Sequence, residues 1–245
     1  MWTRDLDAGP DLRARVITTG VSEGDLAVGG EPAPLAIRRR QLVDRPWLWL
    51  DQVHGAEVVV LSDSESVVAV AGSSADAAVT RRDDVVLVAH SADCATIALV
   101  SADGVIGVVH AGWRGLVAGV VGDAVGSMRQ LGATDVVAVL GPCIGVECYE
   151  FGVGDLSRVV DVLGPGVSGS TRSGRVALDL REGVRSALDG ASVRVVASDD
   201  RCTACGRTSA TDEPVATPDL FSHRARADGG RQALLVWLEP GVPHP

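Results

Sequence analysis

Apolar runs broken by glycine, aspartate or proline set the rhythm of this chain. Val85-Val86-Leu87-Val88-Ala89 and Ile97-Ala98-Leu99-Val100 are continuous rather than alternating, which predicts buried strands. Asp103-Gly104 is a turn signal, and Val105-Ile106-Gly107-Val108-Val109 follows as the returning strand of a hairpin. Leu116, Val117, Val120, Val121, Ala124, Val125, Met128 and Leu131 recur at helical spacing, so a helix is expected just after Gly112-Trp113-Arg114-Gly115. Val136–Leu140 is a further strand, stopped by Gly141-Pro142. Leu178 to Leu188 reads as helix, Val193–Ala197 and Ala233–Leu238 as strands, and Asp200 to Ala227 as a long polar loop. From Pro240 onward a frayed tail is expected, with His244 incidental in it. The pattern predicts one α/β domain over residues 1–245, with mixed β-sheets and connecting helices.

Composition narrows the function classes. The 245 residues are 46% apolar but only 3% aromatic, so the core must be built from Val, Leu and Ala. A net charge of −10 argues against nucleic acid as a partner, because neutralising phosphates needs a basic surface. Arg38-Arg39-Arg40 is short and reads as a solvated helix face. Every basic residue is an arginine, which excludes a Schiff-base lysine and a P-loop. No apolar run approaches a membrane span and the start lacks signal-peptide character, so a cytoplasmic protein is expected. Five cysteines, an odd number, do not suggest a disulfide framework.

The chemistry concentrates in Asp51-Gln52-Val53-His54-Gly55, Ser91-Ala92-Asp93-Cys94 and Val109-His110-Ala111-Gly112-Trp113-Arg114-Gly115. Each interrupts an apolar run with a glycine or aspartate beside a histidine or cysteine. His54, Cys94 and His110 form a three-ligand set that suits zinc with one position open for catalysis. An ideal two-residue turn at Asp103-Gly104 would pair Ile97 with His110 and send Cys94 to the opposite face. Shared coordination therefore requires a bulge, or Cys94 in the loop before its strand; the loop is the favoured expectation. Copper is the weaker reading, since only Met1 and Met128 could serve as an axial thioether and five histidines are few for a multicopper cluster. Cys202-Thr203-Ala204-Cys205 has the spacing of half a zinc ribbon or a redox pair, but Cys143 and Cys148 do not complete a ribbon. A loop supporting the pocket is the favoured reading there.

The strings DQVHG, ADC, HAGWRG, GPCIG followed by CYE, DRCT and FSHR occur in the order that resembles the YfiH/laccase-domain family, from about Trp47 to Leu238. Its members have been called multicopper polyphenol oxidases and peptidoglycan editing factors, and include zinc-dependent purine nucleoside phosphorylases. The chain departs from the family at Thr18-Thr19-Gly20-Val21-Ser22, which lacks an expected arginine and glycine, and at Ser222-His223-Arg224-Ala225. The resemblance implies metal ligation by His54, Cys94 and His110, and a pocket role for Cys202. It implies phosphorolysis of adenosine, inosine or methylthioadenosine to free base and ribose 1-phosphate, with adenosine deamination as companion.

Purine nucleoside and phosphate are therefore the expected small-molecule partners. Zinc would activate water for deamination, or help Arg114 orient phosphate at the helix start. Asp93 and Asp76 are the candidates for acid–base work or for control of a ligand. Gln52, Arg114, Arg224 and Cys202 are expected to bind substrate. Two rivals are a non-catalytic zinc-bearing regulatory protein and an editing enzyme for peptidoglycan precursors.

Overall fold

A computed structural model describes residues 1–208 and 219–241 of the chain. Two sheets stack face to face. The five-stranded sheet runs in the order Trp2–Gly9, Leu12–Thr18, Gln232–Pro240, Val86–Ser91 and Trp47–Leu48. The six-stranded sheet runs Arg194–Ser198, Val136–Leu140, Ala95–Ser101, Val105–Ala111, Ala77–Thr80 and Val58–Leu61. Both mix parallel and antiparallel pairs, as the α/β reading expected.

The continuous apolar runs are explained by a core on each side of the sheets. Leu87, Ala89, Leu234 and Val236 meet Ala98, Val100, Ile106 and Val108 between the sheets. The alternate residues of the same strands face outward. Val86, Val88, Leu235 and Trp237 pack beneath Leu35 of the helix Pro32–Leu42. Ile97, Leu99 and Val109 pack under Val121, Val125 and Met128 of one helix and Val184 and Leu188 of another. At roughly 25 cal/mol per Å² of apolar surface removed from water, small aliphatics in layered cores supply the driving force that aromatics cannot supply here.

Several boundaries differ from the sequence expectation. The expected single helix is two, Trp113–Ala118 and Val120–Gln130, because Gly119 breaks it in a left-handed conformation at φ 97°. The first therefore begins inside the Gly112–Gly115 string rather than after it. Val176–Leu178 is a short strand, and the helix after it spans Leu180–Gly190, capped by Asp179, whose carboxylate accepts the Glu182 amide at 2.9 Å. His223–Arg226 forms one helical turn within the expected loop. Pro240 is no tail residue but the last of its strand, opposite Leu12, while His244 lies outside the described residues. Arg39 is not solvated: its guanidinium lies 5.3 Å from the Trp47 ring and 5.8 Å from the Trp49 ring.

The hairpin carries the largest consequence. Ser101 pairs with Val105, so the turn holds three residues, Ala102, Asp103 and Gly104, rather than two. Gly104 takes the left-handed conformation such a turn needs, at φ 74°. The register shifts by one, and His110 faces Thr96 rather than Ile97. Cys94, two positions before Thr96, is thereby directed to the face that carries His110. It also lies in the loop before Ala95–Ser101, as expected. Replacing Gly104 with alanine should cost about 1 kcal/mol of stability. Chemical denaturation measures this, and an unchanged midpoint would show that the turn tolerates a side chain.

Candidate metal centre

The centre is assembled at one end of the stacked sheets. Asp76 lies opposite His110 in the extended register of Ala77–Thr80 against Val105–Ala111, and its carbonyl accepts the His110 amide at 2.7 Å. Its carboxylate faces Nδ1 of His110 at 2.8 Å. The same carboxylate accepts the amides of Val53, His54 and Gly55 at 3.3, 3.0 and 2.6 Å. One buried side chain thus bends the Val53–Gly55 loop and turns the His110 ring so that Nε2 is left for a ligand. His54 adopts φ 62°, a conformation rarely taken by residues with a side chain, and the three hydrogen bonds hold it there.

The result is compact. Nε2 of His54 is 3.7 Å from Sγ of Cys94, and the two imidazole centroids are 4.9 Å apart at 75°. One ligand atom from each of His54, Cys94 and His110 lies within 4.8 Å of the others, so the three form a group able to hold a metal ion. Gly112 leaves room for them. A Cβ there would sit 2.6 Å from Cδ2 of His54 and 3.2 Å from the Cys94 sulfur. Burial pushes the Cys94 thiol up, but hydrogen bonds from His110 and His54 outweigh it and bring the pKa down to about 6. Burial pulls His110 down, yet Asp76 and Cys94 raise it to about 9. Asp76 itself is raised by burial and lowered further by His110 and the loop amides, ending below the usual carboxylate range.

A cavity of about 480 Å³ opens beside these ligands. Gln52, Asp93 and Arg224 line it, as do His90, Tyr149 and Arg231, which sequence reasoning did not single out. Asp93 is engaged throughout. Its Oδ1 accepts the hydroxyls of Thr203 and Ser222 at 2.6 and 2.7 Å, and its Oδ2 accepts the Arg224 amide at 2.6 Å. That geometry makes Asp93 a positioning residue that fastens two distant segments around the cavity, rather than a free acid or base. Asp76 likewise acts through His110. The Gln52 amide, which lines the cavity, pairs with the main chain of His90, donating at 2.7 Å and accepting at 2.8 Å, and so braces the wall.

Two expected pocket residues lie elsewhere. Arg114 does not line the cavity; its guanidinium stacks 4.3 Å above the Trp113 ring on the exposed side of the helix. Cys202 is buried in a different cleft beside Gly145, whose amide donates to its sulfur at 3.1 Å. Arg224 does reach the cavity, with its side chain over Tyr149 and donating to the Glu150 carbonyl at 2.9 Å. His90 had no sequence signal beyond its place at the end of an apolar run. Neither of its ring nitrogens has a hydrogen-bond partner among the described residues.

Residues 24–239 match the family described as multi-copper polyphenol oxidoreductase laccase. The chain belongs to that family. Relatives named purine nucleoside phosphorylase include one from Mycobacterium tuberculosis, 34% identical over 86% of this chain and 82% of the relative. Another, from Corynebacterium glutamicum, is 32% identical over 91% and 94%. One from Xylella fastidiosa is 36% identical over 86% and 81%. Among solved structures, a DUF152 protein from Neisseria meningitidis superposes with a TM-score of 0.77 at 25% identity, covering 97% of this chain and 98% of that one. YfiH from Bacillus licheniformis gives 0.77 at 21% identity over 96% and 99%, a likeness of fold. The fold is therefore shared along nearly the whole chain.

Two tests follow from this geometry. Gly112→Ala should displace His54 and lower bound metal at least severalfold while the fold persists. Elemental analysis beside circular dichroism checks it, and full metal content would show that the cradle yields. His90 is held down to about 3, first by burial and then by Arg39, against an ordinary value of 6.5. The stability tied to its neutral form is complete above pH 6.5 and is lost as pH falls toward 3. Its ring resonances should therefore stay flat between pH 5 and 8; a midpoint near 6.5 in NMR titration would contradict the buried, neutral assignment.

Proposed function

We propose that this laccase-domain protein is a zinc-dependent purine nucleoside phosphorylase. It would split adenosine, inosine and methylthioadenosine with phosphate into free base and the sugar 1-phosphate, and deaminate adenosine as a companion reaction. The observation that carries the reading is the meeting of His54, Cys94 and His110 with Arg224 and Arg231 around one cavity. Relatives named purine nucleoside phosphorylase support the reaction class.

The donor set fits zinc. Two imidazoles and a thiolate are borderline-soft ligands, and Asp76 supplies the carboxylate partner that a metal-bound histidine ordinarily has. The copper reading has less to draw on. Met128, the one internal thioether, is fully buried in the helix-side core, on the face of the sheet away from His110. Zinc held by His54, Cys94 and His110 would supply a Lewis acid at the cavity wall.

The chain's own groups do the rest. Phosphorolysis breaks the bond from C1′ to the purine nitrogen, forms a bond from C1′ to a phosphate oxygen, and leaves the base to take a proton. Arg224 and Arg231 line the cavity and would offer positive charge to phosphate. Burial pushes the Tyr149 phenol up to about 12, so it keeps its proton and serves as a donor. His90, held neutral by burial, lines the cavity wall without putting a charge there.

Adenosine turnover by zinc-loaded protein, separated by chromatography with and without phosphate, tests the proposal. Phosphate-dependent adenine is expected, and Arg224→Ala should raise the KM for phosphate about tenfold, the loss of one charge-assisted contact, with less effect on deamination. Inosine alone would make the protein a deaminase. No product at all would favour a binding role or an editing reaction on another substrate.

A further inference from the structure

A second cluster of metal-ligating side chains lies outside the cavity described above. Glu147 and Cys148 belong to the tight helical turn Val146–Cys148, and Cys202 and Cys205 to the turn Cys202-Thr203-Ala204-Cys205-Gly206. One ligand atom from each of the four lies within 4.8 Å of the others. Sγ of Cys205 is 3.3 Å from the Glu147 carboxylate. Cys202 is 2% exposed, and the other three are half-buried. We propose that Cys148, Cys202, Cys205 and Glu147 form a second, structural zinc site.

Three features support this. The donor set is complete: three sulfurs and one carboxylate fill a tetrahedron and leave no open position, as structural zinc requires. Bond lengths of about 2.3 Å to sulfur and 2.0 Å to oxygen place tetrahedral ligand atoms roughly 3.5–3.8 Å apart, so small side-chain rotations close the cluster onto an ion. The backbone is shaped for it. Gly145 donates its amide to the Cys202 sulfur at 3.1 Å, and Gly206 adopts φ 72° straight after Cys205. Gly145 also has the Glu147 carboxylate folded over it, where any Cβ would collide with both oxygens. Finally, three thiolates and a carboxylate around a divalent ion carry about two negative charges. Arg172, Arg181, Arg185 and Arg207 line the adjoining cleft; Asp179 and Asp200 do too, with Arg181 paired to Asp200, and the arginines leave a surplus of positive charge to set against them.

The site has structural work to do. Cys148 leads directly into Tyr149, and Thr203, between the two cysteines of the turn, hydrogen-bonds Asp93 at 2.6 Å. A zinc clip would fix both parts of the cavity wall from behind. It also accounts for a half-motif without a second half, because the partner segment supplies Glu147 and Cys148 rather than another paired-cysteine turn.

Protein purified under reducing conditions without chelator should carry about two zinc ions per chain by emission spectrometry. Cys94→Ala should keep about one, with X-ray absorption reporting about three sulfur neighbours around it. The double variant Cys202→Ser, Cys205→Ser should also keep about one, with a single sulfur neighbour. A folded, zinc-free Cys94→Ala protein would overturn the second site. If Cys94→Ala does not fold, cobalt titration of the natural chain decides. Sulfur-to-cobalt absorption rising in two phases, one severalfold stronger per ion, supports the site, and a single weak phase overturns it. Zinc lost from the double variant but kept by Cys94→Ala would count against the first centre and not this one.

Discussion

The buried carboxylate of Asp76 receives three consecutive loop amides and faces the His110 ring, and the geometry of the first centre descends from that one group. A carboxylate taken out of water costs several kcal/mol unless its oxygens are met, and here each oxygen is met twice. Because Asp76 stands opposite His110 in the sheet register, the strand pairing that builds the core also sets the ring's orientation. The loop then has little choice. With three amides drawn to one carboxylate, His54 is held at positive φ and its imidazole lands beside Cys94.

Register is the second constraint, and it separates what was legible in the sequence from what was not. The strands of the hairpin and Val136–Leu140 could be read directly, since their apolar runs are too short for helices and end at turn residues. The turn length could not. Asp103-Gly104 is compatible with a two-residue or a three-residue turn, and the choice reverses which residues share a face. The structure takes the three-residue form, with the Ser101 and Thr134 hydroxyls both donating to the Asp103 carboxylate at 2.8 Å. Ser101 is local, but Thr134 lies 31 residues further along the chain, so the local pattern does not announce it. The amino-terminal strands were equally silent: Trp2–Gly9 and Leu12–Thr18 interleave charges with their apolar positions, and the first is the exposed edge of its sheet.

At the site, residue type was legible and direction was not. His54, Cys94 and His110 stand together because their short strings flank strand ends that meet at one end of the sheets. Gln52, Asp93 and Asp76 were rightly placed near them, but each spends its polar atoms on the protein. Arg114 failed for a reason of helix geometry. It occupies the second position of Trp113–Ala118, and the flat Trp113 ring gives its guanidinium a surface to stack on away from the cavity. Arg224 does line the cavity, because Asp93 accepts its amide and pins the turn His223–Arg226 at the rim.

Asp93 shows how the two clusters communicate. Its carboxylate joins Thr203 from the cysteine turn to Ser222 and Arg224 from the cavity rim, while its carbonyl accepts the Ile144 amide at 2.9 Å. A parallel pairing of the main chain at Cys143 and Cys202, both free thiols, and the Thr203 amide bonded to the Cys143 carbonyl at 3.1 Å continue the same seam. Residues far apart in sequence are thus tied to the residue preceding Cys94. Asp93 holds φ 119°, a strained value that would relax if its partners let go. The position of the Cys94 sulfur therefore depends on loops that carry no ligand of the first centre, and anything that stiffens the cysteine turn sharpens the geometry of the cavity it stands behind.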